Sequence, residues 1–379
     1  MESPCTDDMN ILVLTPGCSG YPIIQSYQRV AEKVFLLGFR KYEKKFTFQM
    51  EKAKEQEGKN WKDNIELIYV DSWLEYYKKA KQIIRTEKVQ VVLTQEPYGN
   101  LIAWKILMGY DIRLIQMMCQ DYLKYIQVSD RTFFTKYPLI FLNWLCLQIS
   151  CRRAEIICLS NSLKEKASEY DSKKITLLPI FGINLNIFKK NRIEKRFKEV
   201  FEIITVARLS SEKGHKYLFE ALKKINEDNP NWILHVIGDG PLKEELEELR
   251  DELGLKGKIF FYGYLEHKEI AEFYNSSDLF ILPSLEEGLG YVSGEALACG
   301  CPVIASRVGG IPDIIINKKV GLLFEPRDSD DIKDKINYII NNKDMTMQMA
   351  EDGRQHIIKN YNSEKVMKKF EEILKFLPD

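Results

Sequence analysis

Short apolar runs rich in β-branched residues alternate with longer amphipathic stretches along the whole of this sequence, and that alternation most restricts the folds open to it. Strands separated by helical segments pair in parallel, because a parallel neighbour needs a long crossover. In the first half the strand candidates are Asn10 to Thr15, Ile65 to Val70, Val89 to Thr94, Arg113 to Met117, Glu155 to Ser160 and Ile175 to Leu178. In the second they are Phe201 to Ala207, Trp232 to Ile237, Lys258 to Tyr262, Asp278 to Leu282, Pro302 to Ala305 and Gly321 to Phe324, with helical segments such as Lys216 to Asn226 and Pro241 to Leu253 between them. The class is therefore α/β. With 379 residues the chain has room for two domains. The lysine-rich stretch Asn186 to Glu199 reads as their linker. The expected division is an N-terminal Rossmann-like domain over 1–188, a C-terminal one over 189–360, and a last helix over 361–379 placed to pack back on the first. Two such sheets in series would face each other across a cleft lined by the carboxyl ends of their strands, where open α/β sheets bind ligands.

Lys plus Arg and Asp plus Glu are equal, at 55 each, but the halves differ. Residues 1–190 carry 28 basic and 21 acidic side chains, and residues 191–379 carry 27 and 34. Eight scattered cysteines form no C-x-x-C pair and only four histidines accompany them, so no metal site is expected. The acidic amino terminus lacks the form of a signal peptide, which implies a cytoplasmic protein with free thiols. The apolar stretch Tyr137 to Ile149 is too short to span a bilayer. Flanked by Arg131, Lys136, Arg152 and Arg153, it suits either a helix packed on its own core or one lying on an anionic membrane surface at the inner face. The charged run Tyr42 to Lys62 reads as a solvated helix and loop.

The segment Ser284 to Gly300 follows the strand Asp278 to Leu282, contains Gly288-Leu289-Gly290, and continues into small and apolar residues suited to a packed helix. Strand, glycine loop, helix is an anion-binding arrangement: the glycines admit a close ligand and the free N–H groups of the helix face it. Glu287 stands in the loop and Glu295 on the helix, with seven residues between them. A chance pair of solvated glutamates is the plain alternative.

This segment resembles the E-x7-E motif of family 4 retaining glycosyltransferases, which have the GT-B fold. The resemblance implies that Glu287 contacts a donor sugar and Glu295 the nucleotide ribose, with Gly288, Leu289, Gly290, Tyr291 and Val292 lining the donor. Ala207-Arg208-Leu209 through Lys213-Gly214 resembles the family's G-R-L-x-x-x-K-G segment, with Ala207 in place of glycine. Arg208 and Lys213 are then a clamp for the departing diphosphate, doing without a metal what a cation would do. Gly263, Tyr264 and Leu265 match a segment whose backbone lines the base. Val236 to Pro241 and Ser306 to Asp313 match strand-end turns near the nucleotide.

The first half is similar more loosely. Gly17 and Gly20 fit its first loop, on the acceptor side. In the stretch Leu114 to Tyr122, Met118 or Cys119 stands where the family carries a histidine, and Asp121 is either a polar contact on the acceptor side or a core or surface residue. Asp328-Ser329-Asp330 could mimic a metal-binding D-x-D but reads better as a helix cap. His235 reads as a core residue, His215 as filling space near the clamp, and His267 and His356 as solvated. The function implied is metal-independent, retaining transfer of a sugar from a nucleotide-diphosphate sugar to a hydroxyl on a carbohydrate or lipid-linked acceptor, in glycolipid or polysaccharide synthesis. No cofactor and no nucleic acid are expected. The missing histidine keeps a nucleotide-sugar-binding protein without transfer as the alternative.

Overall fold

The computed structural model describes the chain except for residues 1–8, 15–20, 45–46, 49, 52–53, 55–61, 96, 129–132, 192–198, 229–230 and 376–379. It divides into two compact units: Met1–Cys119, Phe133–Phe181 and Glu364–Asp379 form one, and Gln120–Thr132 with Gly182–Ser363 form the other. Both are parallel sheets with helical crossovers.

In the first unit seven strands, β1 (Asn10–Leu14), β2 (Lys33–Phe39), β3 (Ile65–Val70), β4 (Val89–Thr94), β5 (Arg113–Met118), β6 (Ala154–Cys158) and β7 (Lys174–Leu177), stand in the order β3-β2-β1-β4-β5-β6-β7. Helices α1 (Tyr21–Val30), α2 (Trp73–Thr86), α3 (Pro97–Ile106), α5 (Phe133–Ser150) and α6 (Asn161–Ala167) connect them, while α4 (Tyr122–Val128) belongs to the other unit. Central strands are apolar on both faces, as sheets covered on both sides require. Ser72 and Ser160 cap α2 and α6 by accepting from Glu75 and Leu163 N–H groups. β2 was not expected. Only Ala31 and Glu32 separate it from α1, so its apolar run reads as a continuation of that helix until the structure pairs it in register with β1.

The second unit holds β8 (Phe201–Val206), β9 (Trp232–Ile237), β10 (Ile259–Gly263), β11 (Leu279–Leu282), β12 (Val303–Ser306) and β13 (Leu322–Phe324) in the order β10-β9-β8-β11-β12-β13. Strand order reverses between β8 and β11, the point at whose carboxyl edge a doubly wound sheet binds ligands. Its helices are α7 (His215–Asp228), α8 (Lys243–Glu252), α9 (His267–Ser276), α10 (Tyr291–Ala298), α11 (Ile311–Ile314), α12 (Ser329–Asn341) and α13 (Lys343–Asn360). Leu218, Phe219, Leu222 and Ile225 on one face of α7 join Trp232, Leu234 and Val236 of β9 in the core. The Asp328 carboxylate accepts from the N–H groups of Asp330 and Asp331, so the D-x-D sequence is a helix cap on α12.

The last helix, α14 (Ser363–Lys375), runs from the second unit into the first. Phe370 and Leu374 are fully buried there, and Arg29 pairs with Glu371 at 3.3 Å. The described part of the expected linker, up to Asn191, is tied to the second unit: Asn275 on α9 donates to the Lys189 carbonyl and accepts from Asn191 N–H. The chain instead passes between units at Phe181 and Gly182, and the first-half segment Gln120–Thr132 groups with the second unit. Much of the charged run Tyr42 to Lys62 lies outside the described residues.

Candidate active site

The loops leaving β8 and β11 meet at the reversal point of the second sheet. After β8 the chain runs through Ala207 and the exposed Arg208 into a 3-10 turn, Ser211–Lys213, which Gly214 ends in the left-handed conformation at φ 65°. A Cβ on Gly214 would overlap the Pro283 carbonyl just beyond β11, so only glycine lets these loops touch. Leu285 N–H donates to the Glu212 carbonyl at 2.7 Å and closes the junction.

That junction places Lys213 Nζ 2.6 Å from Glu287 Oε2, with each side chain 19% exposed. The Ser284 hydroxyl donates to the same Glu287 oxygen at 3.2 Å. Burial disfavours the Lys213 charge, but Glu287, with Glu212 and Glu286, outweighs it and raises the pKa above the ordinary lysine value. The loop after β12 secures Glu287 from behind. Gly310 N–H donates to its carbonyl at 3.3 Å, and a Cβ on Gly309, at φ 50°, would overlap that carbonyl oxygen.

Gly288, Leu289 and Gly290 are buried, and Gly290 begins α10 at φ 79° with no side chain capping the first turn. Ser293, Gly294 and Ala298 of α10 are buried, and a Cβ on Gly294 would touch Ile183 and Ile357. Tyr291, Val292 and Glu295 remain partly exposed on its other side. Burial pushes the Glu295 carboxyl up to about 7, and the neighbouring Tyr274 hydroxyl opposes the shift. Gly263, at φ 69° with open space around its Cα, accepts from Gly238 N–H at 2.8 Å. Beyond it Tyr264 is 68% exposed and Leu265 partly buried. Arg208 pairs with no carboxylate among the described residues.

Asp121 proves to be a helix cap. Its Oδ1 accepts from Leu123 and Lys124 N–H groups at 3.1 and 3.2 Å, opening α4. Its own N–H reaches the Glu286 carboxyl, and the Ser211 hydroxyl reaches the Val128 carbonyl at 3.5 Å, so α4 rests on both active loops. Gly17 and Gly20 lie outside the described residues.

Glu286 escaped the sequence reading. It is 4% exposed, and burial pushes its carboxyl up to about 7, with Glu287 adding to the rise and Lys213 opposing it. One acidic residue beside another in a loop carries no signal of burial, so nothing in the sequence distinguishes it. His215 opens α7 with both ring nitrogens unpartnered, and burial followed by the Lys213 charge lowers it to about 4. His235 is in the core, as expected of it, but it bridges Glu202 at 3.1 Å and Tyr262 at 2.9 Å. His267 is exposed, whereas His356 is partly buried and accepts company from Asn360 at 3.1 Å. Among the described residues no cluster of His, Cys, Asp and Glu could hold a metal ion.

Residues 186–356 match the family model described as Glycosyl transferases group 1. An uncharacterized glycosyltransferase of Methanocaldococcus jannaschii is 28% identical over 239 residues, 60% of this chain, and the chain spans 60% of that relative's length. The UDP-Gal:alpha-D-GlcNAc-diphosphoundecaprenol alpha-1,3-galactosyltransferase of Escherichia coli is 27% identical over 325 residues, 82% of this chain and 80% of its own. Among solved structures, Anabaena HepE in complex with UDP-glucose superposes with a TM-score of 0.78 at 18% identity, covering 97% of this chain and all of that one. The chain thus has the GT-B architecture of two Rossmann-like domains, and its residues 186–356 carry the pattern of the group 1 glycosyl transferases.

Proposed function

We propose that the protein is a metal-independent, retaining glycosyltransferase of the family 4 type, which moves a sugar from a nucleotide-diphosphate donor to a hydroxyl acceptor. The observation that carries this reading is the Lys213–Glu287 pair, which joins two loops at the carboxyl edge where the strand order reverses. In the reaction the bond from the anomeric carbon to phosphate breaks, and the bond to the acceptor oxygen forms on the same face. The acceptor proton passes to the departing diphosphate, so no enzymic base is required. Lys213 and the exposed Arg208 neutralise the diphosphate, Arg208 by bidentate hydrogen bonds. Glu287, oriented by Lys213 and Ser284, holds the sugar, and Glu295 with Tyr291 and Val292 receives the nucleoside. Gly263 to Leu265 border the base. The Escherichia coli relative's name supports a nucleotide sugar as donor and a lipid-linked glycan as acceptor.

One observation favours binding without transfer: Met118 is buried at the end of β5 and Cys119 is partly exposed, where the resemblance calls for a histidine. A panel of nucleotide sugars screened by thermal shift, then offered with glycan and lipid-linked acceptors, separates the two. Donor consumption abolished by Glu287→Ala supports the transferase, and donor binding with no consumption supports the alternative. No stabilisation by any nucleotide sugar would overturn both.

A further inference from the structure

One face of the second unit's sheet carries a row of polar side chains that the transfer reaction does not use. Glu202 on β8 and His235 on β9 are fully buried, and Tyr262 on β10 continues the row. His235 Nε2 lies 3.1 Å from Glu202 Oε2, and its Nδ1 lies 2.9 Å from the Tyr262 hydroxyl. With Glu202 as a carboxylate, which only accepts, Nε2 carries the proton and Nδ1 accepts from Tyr262. Phe273 on α9 packs against both rings, with centroids 5.2 Å from His235 and 4.8 Å from Tyr262. The inner end is anchored: Glu202 N–H donates to the Asp278 carboxylate at 3.0 Å, and the Glu202 carbonyl accepts from Asp278 N–H at 2.8 Å. Replacing such a buried pair by apolar residues of similar volume is commonly neutral or stabilising, so the sheet itself does not call for it.

The row runs obliquely toward the carboxyl edge of the sheet. Glu202 is second in β8, His235 is fourth in β9, and Tyr262 is the last residue of β10 before Gly263. There the register skips: Phe261 stands opposite Val236, and Gly263 stands opposite the next residue, Ile237, so Tyr262 is a surplus residue in β10. β10 is an edge strand, and a bulge on an edge re-aims the chain beyond it. Gly263 then takes the left-handed backbone at φ 69°, accepts from Gly238 N–H and leads into Tyr264 and Leu265. We propose that Glu202, His235 and Tyr262 are positioning residues for the nucleotide base: the hydrogen-bonded row pins the bulge, and the bulge sets the backbone of Gly263 to Leu265 that borders the base. Backbone N–H and C=O groups tell one base edge from another only when they are held in place, and a row tied into the sheet interior holds them. This inference rests on the transferase reading, which puts the base beside Gly263 to Leu265.

The test is isothermal titration of the full chain with UDP, CDP, ADP and GDP. In Tyr262→Phe the ring and its packing on Phe273 remain, and only the hydroxyl is lost. The expected result is about three- to tenfold weaker binding of the tightest of the four nucleotides, the size of one lost hydrogen bond. The weakest should change little, so the preference among bases narrows by the same factor. E202M/H235L breaks the row while filling its buried positions with apolar side chains, so it should melt no lower than the wild type and narrow the preference equally. Should that variant not fold, Tyr262→Phe decides. Unaltered binding in Tyr262→Phe, or equal weakening of all four nucleotides, overturns the inference and leaves the transferase reading standing, as does a wild type that binds all four alike. A wild type that binds none overturns the transferase reading and this inference with it.

Discussion

Lys213 and Glu287, 74 positions apart, form a 2.6 Å ion pair that is four-fifths withdrawn from solvent. Removing one partner leaves a largely buried charge alone, whereas removing both leaves none. Lys213→Met and Glu287→Gln should therefore each lower stability by about 1–3 kcal/mol, with the double variant losing less than their sum. Urea denaturation of the four proteins gives the coupling, and a coupling near zero would show that the pair does not hold the loops. Turnover should fall by about 10²-fold or more in each single variant.

Gly309 tests whether the backbone at Glu287 must stay where it is. A methyl group there strains a left-handed residue and overlaps the Glu287 carbonyl. Gly254, at φ 72°, has nothing within 4 Å of an added Cβ, so it isolates the strain alone. Gly254→Ala should cost about 1–2 kcal/mol and leave transfer intact. Gly309→Ala should cost more and abolish transfer, and equal behaviour of the two variants would show that the overlap is relieved harmlessly.

The buried carboxyls give stability a definite pH dependence. Glu286 and Glu295 are raised to about 7, so in the folded protein they keep protons that the unfolded chain has released above about pH 4.3. Their contribution is complete below that point and is lost as pH rises to about 7. His215, lowered to about 4, acts oppositely, adding stability between pH 4 and about 6.5. His356, also lowered by burial, acts in the same direction as His215, so the test lies in how each variant changes the slope. Relative to the wild type, melting temperature plotted against pH over this window should have a more positive slope in Glu286→Gln and Glu295→Gln, and a more negative one in His215→Phe. A wild-type-like slope in all three would refute the assignment.

What the sequence disclosed follows from which interactions are local. All six strands of the second unit are legible: five are buried on both faces and read as apolar runs, β9, Trp232–Ile237, having no exposed residue, while β10 alternates buried and exposed positions. β2 is hidden because two residues do not mark the end of α1. The Glu287 loop is legible because Gly290 takes the left-handed backbone that starts α10, a conformation that favours glycine. Glu286, the Glu202–His235 contact and the grouping of α4 with the second unit are not, because each depends on a partner remote in sequence. Glu202, for example, meets His235 only because β8 and β9 pair with Ile204 opposite His235.

Arg113 ties the last helix to the first sheet, and that tie predicts a long-range effect. Its guanidinium, 6% exposed, binds Glu155 through Nε and Nη2 at 2.5 and 2.8 Å, and its Nη1 donates to the Ile373 carbonyl at 2.7 Å. A lysine keeps the charge but cannot serve a carboxylate bidentately and a carbonyl at once. Arg113→Lys should therefore cost about 2–3 kcal/mol, although it removes no charge. Because the lost contact includes α14, hydrogen exchange should rise first at Phe370 to Leu374, the stretch that buries Phe370 and Leu374 in the first unit. Faster exchange at β5 and β6 with α14 unchanged would assign the work of Arg113 to Glu155 alone.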